Sequence, residues 1–246
     1  MAARGTVIPE RRARTSGATV ESVMKQLDAW VARHGNGTYE RGDWEPMKDF
    51  MIPDAAGIQQ DREEIKEFVS VLLGRGRLGA VLEVGLGYFG STHFLWRQLF
   101  KKVITIEKSH ERIRTFGANL RAFHQHWVLD DQRSAFLIGM SNETATVTKA
   151  YQAASGGLDV LFIDGDHQYA SVLTDWLLYS PLVRPGGIVA FHDVALTVKG
   201  HYGVPEFVDQ LSRGAIDGAP RRLTKILRTK NLGIAYYTVE GRERPS

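Results

Sequence analysis

The chain has 246 residues, 43% hydrophobic and 24% charged, with no cysteine and a formal net charge of +3. That length suits one sizeable α/β domain with an N-terminal extension and leaves little room for a second full domain. The absence of thiols excludes disulfides, thiolate metal sites and a cysteine nucleophile, and the small net charge argues against a nucleic-acid binder, which carries a concentrated basic face.

No apolar run approaches the ~18 residues of a membrane span. Residues 1–14 are basic but lack the apolar core of a secretory signal. A cysteine-free chain fits a reducing compartment, so a cytoplasmic location is expected. Residues 1–18 read as a tail. Residues 20–34 have the spacing of a short amphipathic helix, with Val23, Leu27, Trp30 and Val31 on one face. Residues 35–60 mix glycine, proline and the large side chains Tyr39, Trp44 and Phe50, which suit an ordered segment better than a linker. These aromatics have two open roles: a lid over an acceptor, or packing against the sheet edge. The expected division is a tail and lid segment over 1–45 and one domain over 46–246.

Asp61 is placed to cap the next helix, with Glu64 three residues on completing an acidic variant of the capping box. Ile65, Phe68, Val69, Leu72 and Leu73 recur at helical spacing, and Gly74 and Gly76 end the element. From Ala80 the pattern alternates. Strands are expected at 80–84, 103–107, 135–139, 158–164 and 187–192, with helices near 92–100, 110–123, 144–154 and 169–182 between them. Short apolar runs alternating with helices indicate a parallel sheet covered on both faces. The runs 223–228 and 232–239, joined by a turn at Lys230-Asn231, are too close for anything but antiparallel pairing. The expected fold class is therefore α/β: a Rossmann-like, mostly parallel seven-stranded sheet with a C-terminal antiparallel hairpin and helices on both faces.

The chemistry concentrates at strand ends. A buried strand runs through Leu82, Glu83 and Val84 into Gly85-Leu86-Gly87-Tyr88-Phe89-Gly90, and Ser91-Thr92 opens a helix. Glycines there allow a tight turn and close approach of backbone to a ligand. Glu107 ends the next strand, 17 positions after Gly90. A carboxylate so placed can accept from both ribose hydroxyls of an adenosine ligand; the bland alternative is a solvated glutamate beside Lys108. Turn and acid together suit a nicotinamide dehydrogenase equally well. The discriminating residues lie downstream. Ile163-Asp164-Gly165-Asp166-His167 ends one strand, and Phe191-His192-Asp193 ends another that opens at Arg184-Pro185-Gly186-Gly187. Strand C-termini of an open α/β sheet face the ligand crevice, so these groups converge on one pocket.

This set of motifs resembles the class I S-adenosylmethionine-dependent methyltransferases. Within them it resembles the branch of catechol O-methyltransferase and the macrolide sugar O-methyltransferases, with the cephalosporin-hydroxylase-like proteins as neighbours. The resemblance covers roughly residues 50–240 and implies adenosylmethionine as cofactor and O-methylation of a small-molecule hydroxyl, on a natural product, sugar or phenol. It implies that Gly85, Leu86, Gly87 and Gly90 pass beneath the methionine part of the cofactor. Glu83 would hold that turn or reach the amino group through water, and Ser91 would help bind the carboxylate at the helix start. Glu107 would hold the ribose, while Met140 and Ser141 would flank adenine where the family commonly has an acid. Asp164 borders both cofactor and acceptor.

A hydroxyl acceptor must lose a proton, to a general base or to a divalent metal that lowers its pKa. The resemblance implies metal ligands at Asp164, His192 and Asp193. A histidine among them departs from the usual all-oxygen set and suits Mn²⁺ better than Mg²⁺. The alternative is direct base catalysis by His167 or His192, with Asp164, Asp166 or Asp193 orienting the ring. His124 and His126 read as surface residues. His201-Tyr202-Gly203 opens a loop where the family places acceptor contacts. Arg221, Arg222, Lys225, Arg228 and Lys230 read as a solvated face. Homodimers are common in such families, but no residue pattern places an interface. The rival readings are a nicotinamide-dependent oxidoreductase, disfavoured by the lack of a hydride-site signature, and a non-catalytic scaffold that keeps the cofactor fold.

Overall fold

The computed structural model describes residues 17–34, 60–76, 78–87, 89–123, 133–195, 203–228 and 232–241. Tyr39, Trp44, Phe50, His124, His126, His201, Tyr202, Lys230 and Asn231 lie outside the described residues.

Helix α1 spans Val20–His34 and α2 spans Arg62–Leu73. The alternating core follows as β1 Ala80–Val84, α3 Ser91–Leu99, β2 Lys102–Glu107, α4 His110–Phe123, β3 Ser134–Ile138, α5 Thr144–Ala153, β4 Leu158–Ile163, α6 Tyr169–Tyr179 and β5 Val183–His192. Helix α7, Val204–Ser212, leads to β6 Thr224–Ile226 and β7 Ile234–Thr238. The seven strands lie in the order β3-β2-β1-β4-β5-β7-β6. The first five are mutually parallel, and β7 is antiparallel to both β5 and β6. Helix-covered parallel strands with a closing antiparallel hairpin are what the apolar runs predict. The strand order reverses between β1 and β4, and a doubly wound sheet opens its ligand crevice outside the carboxyl ends at such a point.

Strand alternation divides the core into two layers. Val81, Val103, Val160 and Ile188 face α1, α2 and α3, while Leu82, Ile104, Leu161 and Val189 face α6 and α7 on the other side. Helix α1 belongs to the first layer: Val23, Met24, Leu27, Trp30 and Val31 are buried with Phe68 of α2 and Phe94 of α3. Trp30 stacks on Phe94 with ring centroids 4.5 Å apart. Arg62 grips Asp28 through two 2.9 Å bonds and ties α2 to α1. Among the described residues, α1 thus shares one continuous core with α2, α3 and the sheet.

Two local expectations change. Asp61 caps α2, accepting from the Glu63 and Glu64 amides at 2.9 and 3.0 Å. Glu64 does not return the capping-box bond. Its buried carboxylate reaches across to β6 and β7, accepting from the Arg228 amide at 2.6 Å and the Gly233 amide at 2.7 Å. Strand β5 begins at Val183, earlier than glycine and proline suggest. A register shift opposite 158–160 absorbs Arg184-Pro185-Gly186-Gly187 as a bulge. Among the described residues no helix is long and apolar enough to cross a membrane.

Candidate active site

The turn after β1 is built around Gly85. Its φ is +95°, and a Cβ there would stand 2.1 Å from the Asp164 carbonyl oxygen, so only glycine lets β1 and β4 close so tightly. Gly90, with φ +62°, precedes α3 directly, where a Cβ would strike the Phe116 ring. It caps the helix without a side-chain hydrogen bond. The amides opening α3 thus remain available to an anion. Gly87 is also left-handed, and Leu86 is buried beneath the turn.

Glu107 ends β2, buried, with its Oε2 accepting from the Leu86 amide at 3.1 Å and its Oε1 from the Ser109 amide at 2.8 Å. Arg112 adds a cation 3.6 Å from Oε2. A carboxylate has about four acceptor positions, so this side chain can brace the turn and still receive ribose hydroxyls.

Glu83 corrects one expectation. It lies on the α3 side of β1 and its carboxylate is sealed in the core. Trp96 Nε1 donates to it at 3.0 Å and Thr105 Oγ1 at 2.9 Å. Burial pushes its pKa up to about 8, against the bonds from Thr92, Thr105 and Trp96. The chain of donors continues behind it. Arg97 donates to Ser134 at 2.6 Å, and His93 bridges Ser134 at 3.0 Å and Thr105 at 2.7 Å. A neutral His93 ring, donating to one of these hydroxyls and accepting from the other, completes the chain. Burial and Arg97 hold the His93 pKa well below its ordinary value, consistent with that neutral ring. Glu83 therefore anchors α3 to β1 and β2 instead of reaching the cofactor.

Ser91 has a partner that sequence reading missed: Trp30 Nε1 donates to its Oγ at 3.2 Å. The serine's own proton is left to point elsewhere. Met140 is 44% exposed just past the end of β3. Ser141 turns away from the expected adenine-flanking role. Its hydroxyl bonds Asp175, whose pKa burial raises to about 6, and its carbonyl accepts from Tyr179.

The acid–imidazole cluster gathers at the ends of β4 and β5. His192 is 2% exposed and stacks on Phe162, with Nδ1 3.1 Å from Asp164 Oδ1 and 3.3 Å from Asp193 Oδ1. Burial opposes its charge, but the two carboxylates prevail and its pKa stands well above the ordinary value. Its Nε2 is buried with no partner among the described residues. His167 approaches from the loop after β4, its side chain 34% exposed, with Nε2 2.9 Å from Asp193 Oδ2. Burial again opposes, yet the bond to Asp193 and the charges of Asp193 and Asp164 raise its pKa. Asp193 has φ +59°, a left-handed conformation unusual for a non-glycine, which turns it back onto both rings. Burial would raise its pKa, but His192 and His167 hold it well below the carboxylate range.

These distances correct the metal trio. One ligand atom each from Asp164, His167 and Asp193 lies within 4.8 Å of the others. His192 stands outside that set because β5 alternation points it into the core, where its only bonded nitrogen is shared by two carboxylates. The same burial removes it as a base for an incoming hydroxyl. Gln60, absent from the sequence reading, completes the surroundings by donating from Nε2 to Asp164 Oδ2 at 3.0 Å.

Known proteins resemble this chain in sequence locally and in fold more widely. A methyltransferase-domain family model matches residues 80–194. A 37-residue stretch is 54% identical to an uncharacterized protein of Acanthamoeba polyphaga mimivirus, spanning 15% of this chain and 17% of that protein. The fold is similar to that of the cofactor-bound protein Rv0187 from MTB, with a TM-score of 0.54, 18% identity, and 93% and 94% of the two chains covered. It is also similar to the O-methyltransferase TomG from Streptomyces achromogenes, at TM-score 0.54 and 17% identity over 89% and 90% of the chains. MycE, a methyltransferase of the mycinamycin biosynthetic pathway, matches at TM-score 0.52 and 15% identity; 89% of this chain is covered, but it spans only 57% of MycE. The glycine turn and the ends of β4 and β5 fall within the matched segment. Residues 80–194 thus match a methyltransferase-domain family, and the fold that carries them is the fold of known methyltransferases.

Proposed function

We propose that the protein methylates a hydroxyl of a small molecule of the sugar, phenol or natural-product kind, and that the hydroxyl proton leaves at the Asp164–His167–Asp193 cluster. That cluster, at the strand ends beside the glycine turn, is the observation that carries the reading. Adenosylmethionine, when bound, supplies a methyl group already activated on sulfonium. The chain's own work is to hold and align the reactants, exclude water and manage the proton. The Gly85 turn leaves room for the donor, Glu107 receives its ribose, and the opening of α3 receives its carboxylate. TomG acts in tomaymycin synthesis, and MycE was solved with Mg, adenosylhomocysteine and mycinamycin VI; both support a small-molecule acceptor.

Two carboxylate oxygens and one imidazole nitrogen fit a divalent ion, Mn²⁺ or a similar first-row metal ahead of Mg²⁺. Asp164, His167 and Asp193 would hold such an ion, which lowers the pKa of a hydroxyl it touches. His192, charged between two carboxylates, keeps both aligned. A second reading, direct base catalysis, is favoured by the exposure of His167 and its bond to Asp193: the ring would take the hydroxyl proton and Asp193 would stabilise the resulting cation.

Radiolabelled methyl transfer to a panel of diols, phenols and amines tests both readings. Turnover on hydroxyls that EDTA abolishes and Mn²⁺ restores supports the ion. Turnover that survives EDTA but disappears in His167→Ala supports the base. Transfer to amines alone would refute O-methylation.

A further inference from the structure

Gln60 lies just ahead of α2 and outside the segment matched by the family model. It is 1% exposed. Its Nε2 donates to Asp164 Oδ2 at 3.0 Å. An ionised carboxylate only accepts, so the amide cannot be reversed, and Oε1 must be the atom left over. That oxygen is buried and has no partner among the described residues. A buried acceptor left without a donor costs about 1–3 kcal/mol, and native structures seldom leave one unexplained.

The side chain has little freedom to escape this position. Asp61 caps α2 at once, Arg62 ties it to Asp28 of α1, and Glu64 anchors it to the hairpin strands. Asp164 is equally constrained, with Gln60 on one oxygen and His192 on the other. The amide oxygen leaves the same carbon as the nitrogen that holds Asp164, and Asp164 supplies one of three ligand atoms within 4.8 Å of one another. A neutral amide oxygen is a hard donor suited to a divalent cation, and three protein ligands fall short of the six that hard ions prefer.

We propose that Gln60 is a fourth protein ligand of a divalent cation at this cluster, its Oε1 facing the ion while its Nε2 fixes Asp164. The proposal rests on the divalent-ion reading of the site and adds to it a residue from outside the matched domain. The second job explains the amide: glutamate would repel Asp164 in the empty site, and an aliphatic residue would leave Asp164 unbraced.

The test is Mn²⁺ titration of the full chain without cofactor or acceptor, followed by the electron paramagnetic resonance signal of free Mn²⁺. Wild type should bind Mn²⁺. Gln60→Met, nearly isosteric but a poor ligand for a hard ion, should bind at least tenfold more weakly. Gln60→Glu should equal or exceed wild type, because the ion screens the added charge. Melting temperatures identify any variant that fails to fold, and the two variants fill the space differently. If wild type binds Mn²⁺ and Gln60→Met binds it equally well, Gln60 is a brace only; the proposal falls and the divalent-ion reading stands. If Gln60→Glu loses binding as Gln60→Met does, the N–H to Asp164 is what matters and the ligand assignment is overturned. If wild type does not bind Mn²⁺, both fall.

Discussion

Glu107 has two jobs in this account, and one substitution separates them. Glu107→Ala removes the acceptor of the Leu86 amide at 3.1 Å and of the Ser109 amide at 2.8 Å, and leaves Arg112 without that carboxylate. Two hydrogen bonds to a charged group, partly replaced by water, amount to about 2–3 kcal/mol of stability, or roughly 5–10 °C in melting temperature for a chain of this size. Loss of the ribose bonds weakens adenosylhomocysteine by a further 1.5–3 kcal/mol or so, about tenfold to 150-fold in Kd. A loosened turn would weaken any ligand, so affinity alone is ambiguous. Calorimetry should therefore compare adenosylhomocysteine with its 2′-deoxy analogue in both proteins. Wild type should prefer the ribose form by about tenfold, and Glu107→Ala should bind the two alike. An unchanged preference in the variant would show that Glu107 serves the turn and not the sugar.

Other expectations follow from the same contacts. Trp30→Phe keeps the stacked ring but removes the donor to Ser91; it should weaken adenosylhomocysteine about fivefold and leave methylthioadenosine, which has no carboxylate, unaffected. Equal losses for both ligands would make Trp30 a packing residue. Glu64→Ala strands two backbone donors, Arg228 and Gly233, and should lower stability by about 2–4 kcal/mol in urea unfolding; a loss under about 1 kcal/mol would mean that water replaces the clamp. Glu83 contributes to the pH dependence, beside Asp175, His167 and His192, whose raised pKa values give slopes of the same sign. The folded pKa of Glu83, about 8, lies above its unfolded value, so between about pH 4.5 and 8 the folded state holds a proton that the unfolded state has released. Stability should fall as pH rises through that window, and Glu83→Gln should make the fall shallower; an identical slope in the variant would assign it wholly to the other groups.

Much of the fold could be read from the chain because its signals are local. Strand periodicity placed β1 at its observed bounds, the glycine turn placed the start of α3 within one residue, and Asp61 capped the helix it precedes. Position was legible wherever a strand end dictates it, as at Glu107 and Asp164. Elsewhere two neighbours looked alike until alternation and backbone conformation separated them. His192 follows Ala190 to the α2 side of β5 and is buried, whereas His167 sits on a loop free to turn toward Asp193. Glu64 fits a local capping pattern, but two amides far along the chain claim it instead. Gln60 and Trp30 carry no motif; their roles arise from tertiary packing of α1 and α2 onto the sheet, which residue spacing does not encode. A signal did exist for Trp30, the apolar stripe of α1, but the stripe predicts burial and not the indole bond to Ser91.

We propose that the crevice outside the carboxyl ends of β1 and β4 receives a sulfonium nucleoside. Isothermal titration of the folded wild-type chain with adenosylmethionine, adenosylhomocysteine and NAD addresses it directly. Saturable binding of the first two, near one per chain, and none of NAD is expected. Folded protein that takes up neither adenosyl compound would contradict it.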